Sequence, residues 1–315
     1  MRLAVFGMGA VGRSVVELAG ERGHTITAVA DSTSAAIDPD GIDTKAVLDK
    51  KESEGSVGTA NPDDALTASY DVLIEATPTT LGDAEPGFTH TRTALERGRH
   101  VVLANKGPVA ERYGDLRALE RESTGNVLFE ATVGGAIPVL STINNLGPEN
   151  INAVQGVLNG TTNFILSRMA AEGLGYEHVL AEAQDLGVAK ADPTFEVSGN
   201  DTALKLVIIA NVLAQGERQF SRNDVEVEGI EDIPSSVLGL AREDGNTVRL
   251  IGEFTGDSIR IGPRLVPESS ALAVPGTRNI VQLETEHAGS LNISGRGTGG
   301  SETATAIFTD INRLD

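Results

Sequence analysis

Lysine is scarce in this chain, six of 25 basic residues, and three of the six stand where an amine could move a proton. Lys106 follows the apolar run HVVLA (100–104) in Ala104-Asn105-Lys106, at the carboxyl end of an expected strand, the edge where doubly wound sheets receive ligands. Lys205 lies in the apolar stretch DTALKLVIIANVLA, four residues after Asp201 and therefore on the same helix face. An ammonium among Leu204, Leu206, Val207, Ile208 and Ile209 is costly to bury unless paired. A buried, paired lysine can have its pKa lowered toward working pH, which suits general acid–base chemistry. The same spacing also describes a snorkelling lysine with a plain helix ion pair to Asp201. Lys190 immediately precedes Ala191-Asp192-Pro193.

A second chemical signal is Gly7-x-Gly9-x-x-Gly12, placed after the apolar run RLAVF and before the helical spacing SVVELAGERG. In a strand–turn–helix setting these glycines make the tight turn, admit a pyrophosphate to the backbone and let helix and strand pack closely. The helix start supplies N–H groups and partial positive charge to the phosphates. Asp31 ends the next run, TITAVA, 19 residues after Gly12, where an acid hydrogen-bonds the adenosine ribose 2′-OH. Neither Arg nor Lys occurs between Arg22 and Lys45 to receive a 2′-phosphate, so NAD is expected ahead of NADP. A Rossmann-like domain without a dinucleotide is the alternative.

The elements that must position these residues fall into two textures. Strand signals at 2–6, 25–30, 71–76, 100–104 and 127–129 alternate with helical spacing at 89–97 and 111–122, which predicts a parallel, doubly wound sheet over about the first 130 residues. Beyond residue 135 a strand is expected at 149–158 and helices at 161–172, 176–186 and 201–214. Consecutive strands then follow at 246–254, 258–266, 279–286 and 289–294, with a helical tail over 298–313. The fold class expected is α/β, a Rossmann-type doubly wound parallel sheet plus a second α+β domain with a mixed or antiparallel sheet.

Composition limits the partners. The 315 residues carry 45 acids against 25 bases, a net charge of −20, which argues against nucleic acid and anionic membranes. No apolar run reaches the roughly 18 residues of a membrane span. The opening MRLAVFGMGAVG leaves no room for a signal peptide, and zero cysteine excludes disulfides, thiolate metal sites and a cysteine nucleophile. A soluble cytoplasmic protein is expected. An acidic, lysine-poor surface suits a salt-rich cytoplasm, because at about 1 M salt the Debye length is roughly 3 Å and carboxylate repulsion is screened. An ordinary acidic surface is the plainer reading. The five histidines show no metal-ligand spacing.

The motifs converge on one family. GMGAVG (7–12), EATP (75–78), ANKGP (104–108), EATVGGAIP (130–138), NGTTNFIL (159–166), ADPTFEVSGNDTALKL (191–206) and GRGTGGSETA (295–304) resemble homoserine dehydrogenase over nearly the whole chain. The resemblance implies NAD(P)-linked interconversion of L-homoserine and L-aspartate 4-semialdehyde, in amino-acid biosynthesis toward threonine and methionine. It implies a homodimer, and a form lacking the C-terminal regulatory extension of some members. The implied organisation is a dinucleotide-binding domain over 1–131 with a returning helix in 296–315, and a substrate-binding and dimerisation domain over 132–295. Lys205 would move the substrate proton, with Asp201 beside it and Lys106 near nicotinamide and substrate. Gly7, Gly9, Ala10, Val11, Gly12, Asp31, Thr77, Lys106 and Gly297 would hold the cofactor. Gly160, Thr161, Lys190, Asp192, Glu196 and Asp201 would border the substrate. A monovalent cation would take carbonyls of Glu130, Val133, Gly135 and Ile137.

Lys190 departs from the pattern, because the family usually has a glutamate there. Lysine cannot accept a hydrogen bond from a substrate ammonium and would repel it. Glu196, Asp192 or Asp201 would then compensate, or Lys190 would turn outward onto a carboxylate. A pocket for another small aldehyde or hydroxy acid is the rival reading, and a non-catalytic NAD-binding regulator is another.

Overall fold

A computed structural model describes residues 1–314, and the chain divides into two compact units, Met1–Ala136 with residues 298–314, and Ile137–Gly297. Asp315, the end of the expected returning segment, lies outside the described residues.

The first unit runs β1 (Arg2–Phe6), α1 (Ala10–Leu18), β2 (Thr25–Ala30), β3 (Ala35–Ile37), α2 (Thr44–Glu54), α3 (Pro62–Leu66), β4 (Val72–Glu75), α4 (Gly87–Glu96), β5 (His100–Leu103), α5 (Lys106–Glu111), α6 (Tyr113–Glu122) and β6 (Val127–Leu128). Its sheet has the order β3-β2-β1-β4-β5-β6. All pairings are parallel except β2 with β3. The inner strands are buried on both faces, which is why they read as continuous apolar runs rather than alternating ones. Phe6 pairs with Ala30 and with Glu75, and Glu75 pairs with Leu103. That register aligns the strand ends, so Gly7, Asp31, Thr77 and Lys106 all emerge at one carboxyl edge, at the switch point between β1 and β4. Beneath it Leu3, Val5, Val29, Ile74 and Val102 form one core with Ile307, Phe308 and Ile311 of the C-terminal helix.

The second unit runs α7 (Val139–Leu146), β7 (Ile151–Val157), α8 (Gly160–Glu172), α9 (Tyr176–Asp185), α10 (Thr194–Val197), α11 (Asn200–Leu213), β8 (Val225–Val227), α12 (Ser235–Glu243), β9 (Asn246–Thr255), β10 (Ser258–Pro267), β11 (Arg278–Thr285) and β12 (Ser290–Arg296). The sheet order is β12-β11-β7-β9-β10-β8, antiparallel but for β8 alongside β10, so the sheet is mixed. Every residue of α11 from Asp201 to Val212 is buried. A Cβ on Gly252 of β9 would come within 2.7 Å of Leu206, so its absence lets α11 lie close on the sheet. The final helix, α13 (Gly300–Ile311), belongs to the first unit and packs on α1. Among the described residues no helix is long and apolar enough to cross a membrane.

Candidate active site: a nucleotide edge and a buried lysine

At the nucleotide edge the glycines are dictated by contact. Gly7 has φ +95°, and a Cβ there would come within 2.4 Å of the Ala76 carbonyl oxygen. A Cβ on Gly12 would come within 1.9 Å of the Gly7 carbonyl oxygen, so α1 can start this close to β1 only without a side chain. Gly9 meets nothing within 4 Å and is exposed, leaving its backbone open to approach. It caps α1 without a side-chain hydrogen bond, so the N–H groups beginning at Ala10 and Val11 retain donors for an anion. These features fit a pyrophosphate. In the same unit α13 starts beside α1, with Gly300 against the Ala10 carbonyl and Ser14.

Asp31 follows β2 as expected but is more heavily engaged than spacing alone conveys. Its Oδ1 accepts from the Thr33 N–H at 2.8 Å, the Ser34 N–H at 2.7 Å and both hydroxyls, while Oδ2 receives the Lys51 ammonium at 2.7 Å. Burial opposes ionisation, but Lys51 and the donors of Thr33 and Ser34 outweigh it and hold the pKa at about 2. The stretch between Arg22 and Lys45 holds no Arg or Lys, but α2, further along the chain, brings Lys51 back onto this acid. Nothing in the local pattern points to Lys51, which stands on a helix with one buried residue, Val47.

Thr77 and Lys106 sit half-buried at the ends of β4 and β5, Lys106 as the first residue of α5. Asn105 caps that helix, its Oδ1 accepting from the Gly107 N–H at 2.9 Å.

The second unit holds the other lysine. Lys205 is 4 % exposed, so it does not snorkel to water. Its Nζ donates to Asp201 Oδ2 at 2.7 Å and to the Leu158 carbonyl at 2.6 Å. Asn159 Nδ2 donates to the same Asp201 oxygen at 3.0 Å, and Asn279 Nδ2 to the same Leu158 carbonyl at 3.0 Å. Asn159 and Asn279 escaped the sequence reading. The former carried one signal, an Asn heading Gly-Thr-Thr, and its side chain does cap α8 through the Thr162 N–H. Gly160 packs on the Thr277 carbonyl, and the Thr161 hydroxyl donates to the Val188 carbonyl at 2.9 Å. Gly297 lies in this unit against Asn279.

Lys190 turns outward, its side chain 77 % exposed, and pairs with Glu196 Oε1 at 2.7 Å. The hydrogen bond that Lys190 donates to Glu196 raises the Lys190 pKa against a smaller effect of burial. Glu196 Oε2 is buried with no hydrogen-bond partner among the described residues. Asp192 is exposed and accepts from the Thr194 N–H at 3.1 Å, apart from that pair. Of the residues named for a cation, Glu130, Val133 and Gly135 fall in the first unit and Ile137 opens the second. The Glu130 carbonyl already accepts from the Val133 N–H, and the Ile137 carbonyl from the Val139 N–H.

Comparison with known proteins supplies the class. The chain is 36 % identical to a homoserine dehydrogenase of Methanocaldococcus jannaschii, covering 99 % of this chain and 97 % of the relative. It is 34 % identical to an NAD(+)-dependent homoserine dehydrogenase of Pseudomonas canavaninivorans, covering 98 % and 95 %. A hyperthermophilic archaeal homoserine dehydrogenase solved with NADPH superposes with a TM-score of 0.85 at 26 % identity, covering 99 % and 96 %. Residues 1–79 also match the Glutamate/Leucine/Phenylalanine/Valine dehydrogenase model. The Homoserine dehydrogenase family model matches residues 138–311, and with those full-length relatives the chain belongs to the homoserine dehydrogenase family, an NAD(P)-dependent oxidoreductase acting on the hydroxyl of homoserine.

Proposed function

We propose that Lys205 is the acid–base group with which this homoserine dehydrogenase interconverts L-homoserine and L-aspartate 4-semialdehyde. The observation that carries the reading is a buried amine on an apolar helix, held by the Asp201 carboxylate and the Leu158 carbonyl. When bound, the nicotinamide supplies the carbon that accepts or returns hydride. In oxidation the neutral Lys205 amine takes the proton from the primary hydroxyl as hydride leaves the adjoining carbon; in reduction its ammonium returns that proton. Asp201, the Leu158 carbonyl and Asn159 orient the amine. Lys106 stabilises alkoxide charge developing on the substrate oxygen. Gly160, Thr161, Glu196 and Asp192 border the substrate. Gly7 to Gly12, Asp31, Thr77, Lys106 and Gly297 hold the dinucleotide, and carbonyls of Glu130, Val133, Gly135 and Ile137 hold a monovalent cation.

The finer parts of this reading are a homodimer working in a salt-rich cytoplasm, in threonine and methionine biosynthesis. The division proposed is a nucleotide domain of 1–131 with 296–315 and a substrate domain of 132–295. The test is reduced-nicotinamide absorbance with L-homoserine and NAD+ in high salt. Lys205→Ala should keep cofactor affinity and lose turnover by about three orders of magnitude or more, within the range of a removed acid–base catalyst; near-normal turnover would refute the assignment. The rival reading, a small hydroxy acid without an amino group, draws on the Lys190–Glu196 pair, and predicts 4-hydroxybutanoate oxidised faster than homoserine.

A further inference from the structure

Glu75 ends β4 with no solvent exposure, an uncommon position for a carboxylate, and both of its oxygens are engaged. Oε1 accepts from the Thr77 N–H at 3.0 Å, from the Thr77 hydroxyl and from Asn105 Nδ2 at 3.4 Å. Oε2 meets His90 Nδ1 of α4 at 2.7 Å. Donor directions follow from the inventory of groups. Asn105 Oδ1 is used on the Gly107 N–H, so its amide Nδ2 faces Glu75 and Thr77, donating to Thr77 Oγ1 at 3.1 Å and the Pro78 carbonyl at 3.4 Å. The Thr77 hydroxyl then gives its proton to Glu75. His90 presents Nδ1–H to Oε2, and its ring lies 4.8 Å from that of Phe6 at the end of β1.

One buried carboxylate thus ties together three segments: the loop after β4, the loop after β5, and α4. Asn105 passes the constraint to α5, whose first residue is Lys106, and Gly87 of α4 approaches Asn105 so closely that a Cβ would lie 2.5 Å from Nδ2. Removing either end of such a network leaves a buried polar group unpaired.

We propose that Glu75 and His90 form a positioning pair that sets the crevice loops carrying Thr77 and Lys106 for hydride transfer. The inference rests on the proposed function, in which those loops border the nicotinamide. Neither residue touches substrate; each acts through Thr77, Asn105 and α5. Because the Thr77 proton is committed to Glu75, Thr77 contributes shape and backbone to the crevice rather than a donor.

The test compares wild type, Glu75→Gln, His90→Leu and His90→Asn for kcat and KM with L-homoserine and for NADH binding by nicotinamide fluorescence. Misplacement of a reacting group by an ångström can cost about 100-fold, so Glu75→Gln and His90→Leu should lower kcat about 10- to 100-fold. Their NADH dissociation constants should stay within about threefold of wild type, because the glycine turn and Asp31 remain in place. His90→Asn, whose amide can donate where Nδ1–H does, should recover most of kcat. Wild-type kcat in His90→Leu, or an equal loss in His90→Asn and His90→Leu, overturns the proposal. Should Glu75→Gln not fold, the two His90 variants, at a partly exposed position, decide it alone. A wild type active on 4-hydroxybutanoate but not on homoserine overturns the functional reading instead, and is distinguished by the parallel wild-type assay.

Discussion

Lys51 reaches Asp31 from 20 residues further along the chain and neutralises the acid expected to hold the ribose 2′-OH. The pair changes the electrostatics of cofactor choice. Asp31 alone would repel a 2′-phosphate, whereas Asp31 with Lys51 leaves a cation at the same edge that can turn to a phosphate or stay with the carboxylate. Lys51→Ala should therefore weaken NADP+ binding about tenfold or more, the scale of one lost charge-assisted hydrogen bond, with NAD+ changed far less. Titration with each oxidised cofactor checks this, and equal weakening of both would show that the lysine serves only the fold. Lys190 raises a parallel question in the second unit, where its ammonium occupies Glu196. Lys190→Glu should lower the KM for homoserine and leave the KM for NAD+ alone. An unchanged KM would mean that position 190 does not meet the substrate.

At the scale of elements, α13 closes the first core. It buries Ile307, Phe308 and Ile311, but also Asp310, which has no exposure and accepts from the Glu130 N–H at 2.8 Å. Burial raises the Asp310 pKa to about 7 and the nearby Glu130 charge adds to it, against the Glu130 N–H and Arg313. The sign follows from proton counts. Between the unfolded carboxylate range and pH 7 the folded chain holds a proton that the unfolded chain has released, so stability falls as pH rises through that window. Its slope from this group is at most about 1.4 kcal/mol per pH unit. Asp310→Asn should flatten the slope of Tm against pH between 5 and 7, measured by thermal unfolding at fixed salt. An identical slope in the variant would remove Asp310 as its source. Element boundaries show why some pieces were legible. The buried runs at β1, β2, β4 and β5 announce themselves by apolar continuity, and α11 by its length. By contrast β3 and β8 have three residues each and α2 is polar apart from Ala46, Val47 and Leu48. The two short strands exist because β2 and β10 pair with them, which no local pattern encodes. Helix α2 carries local caps, Asp43 at its start and Gly55 at φ +74° at its end, but little apolar spacing.

At the scale of the molecule, the net charge of −20 is the dominant feature, and it bears on conditions rather than on fold. Some ion pairs, such as Arg13–Glu52 and Arg218–Asp257, are exposed and contribute little, and with 45 acids against 25 bases pairing cannot remove the acidic excess. Self-repulsion should dominate at low ionic strength, where the Debye length grows to about 30 Å at 0.01 M salt. Dialysis from molar salt into dilute buffer should lower Tm and activity together, with recovery on adding salt back. Full activity and unchanged Tm in dilute buffer would dismiss the halophilic reading.

The sequence by itself determined the glycine turn, the alternating strands and helices of the first unit, the apolar helix bearing Lys205, and the family, because contiguous residues and fixed periods encode each of them. Tertiary structure decided which partners those residues meet. Leu158 and Asn279 converge on the Lys205 cluster from 47 and 74 residues away, Lys51 meets Asp31, and Glu75, Thr77, His90 and Asn105 meet at one point under the crevice. Such meetings depend on strand order and register, which bring remote segments within hydrogen-bonding distance. A buried charge is tolerable only once those partners have arrived.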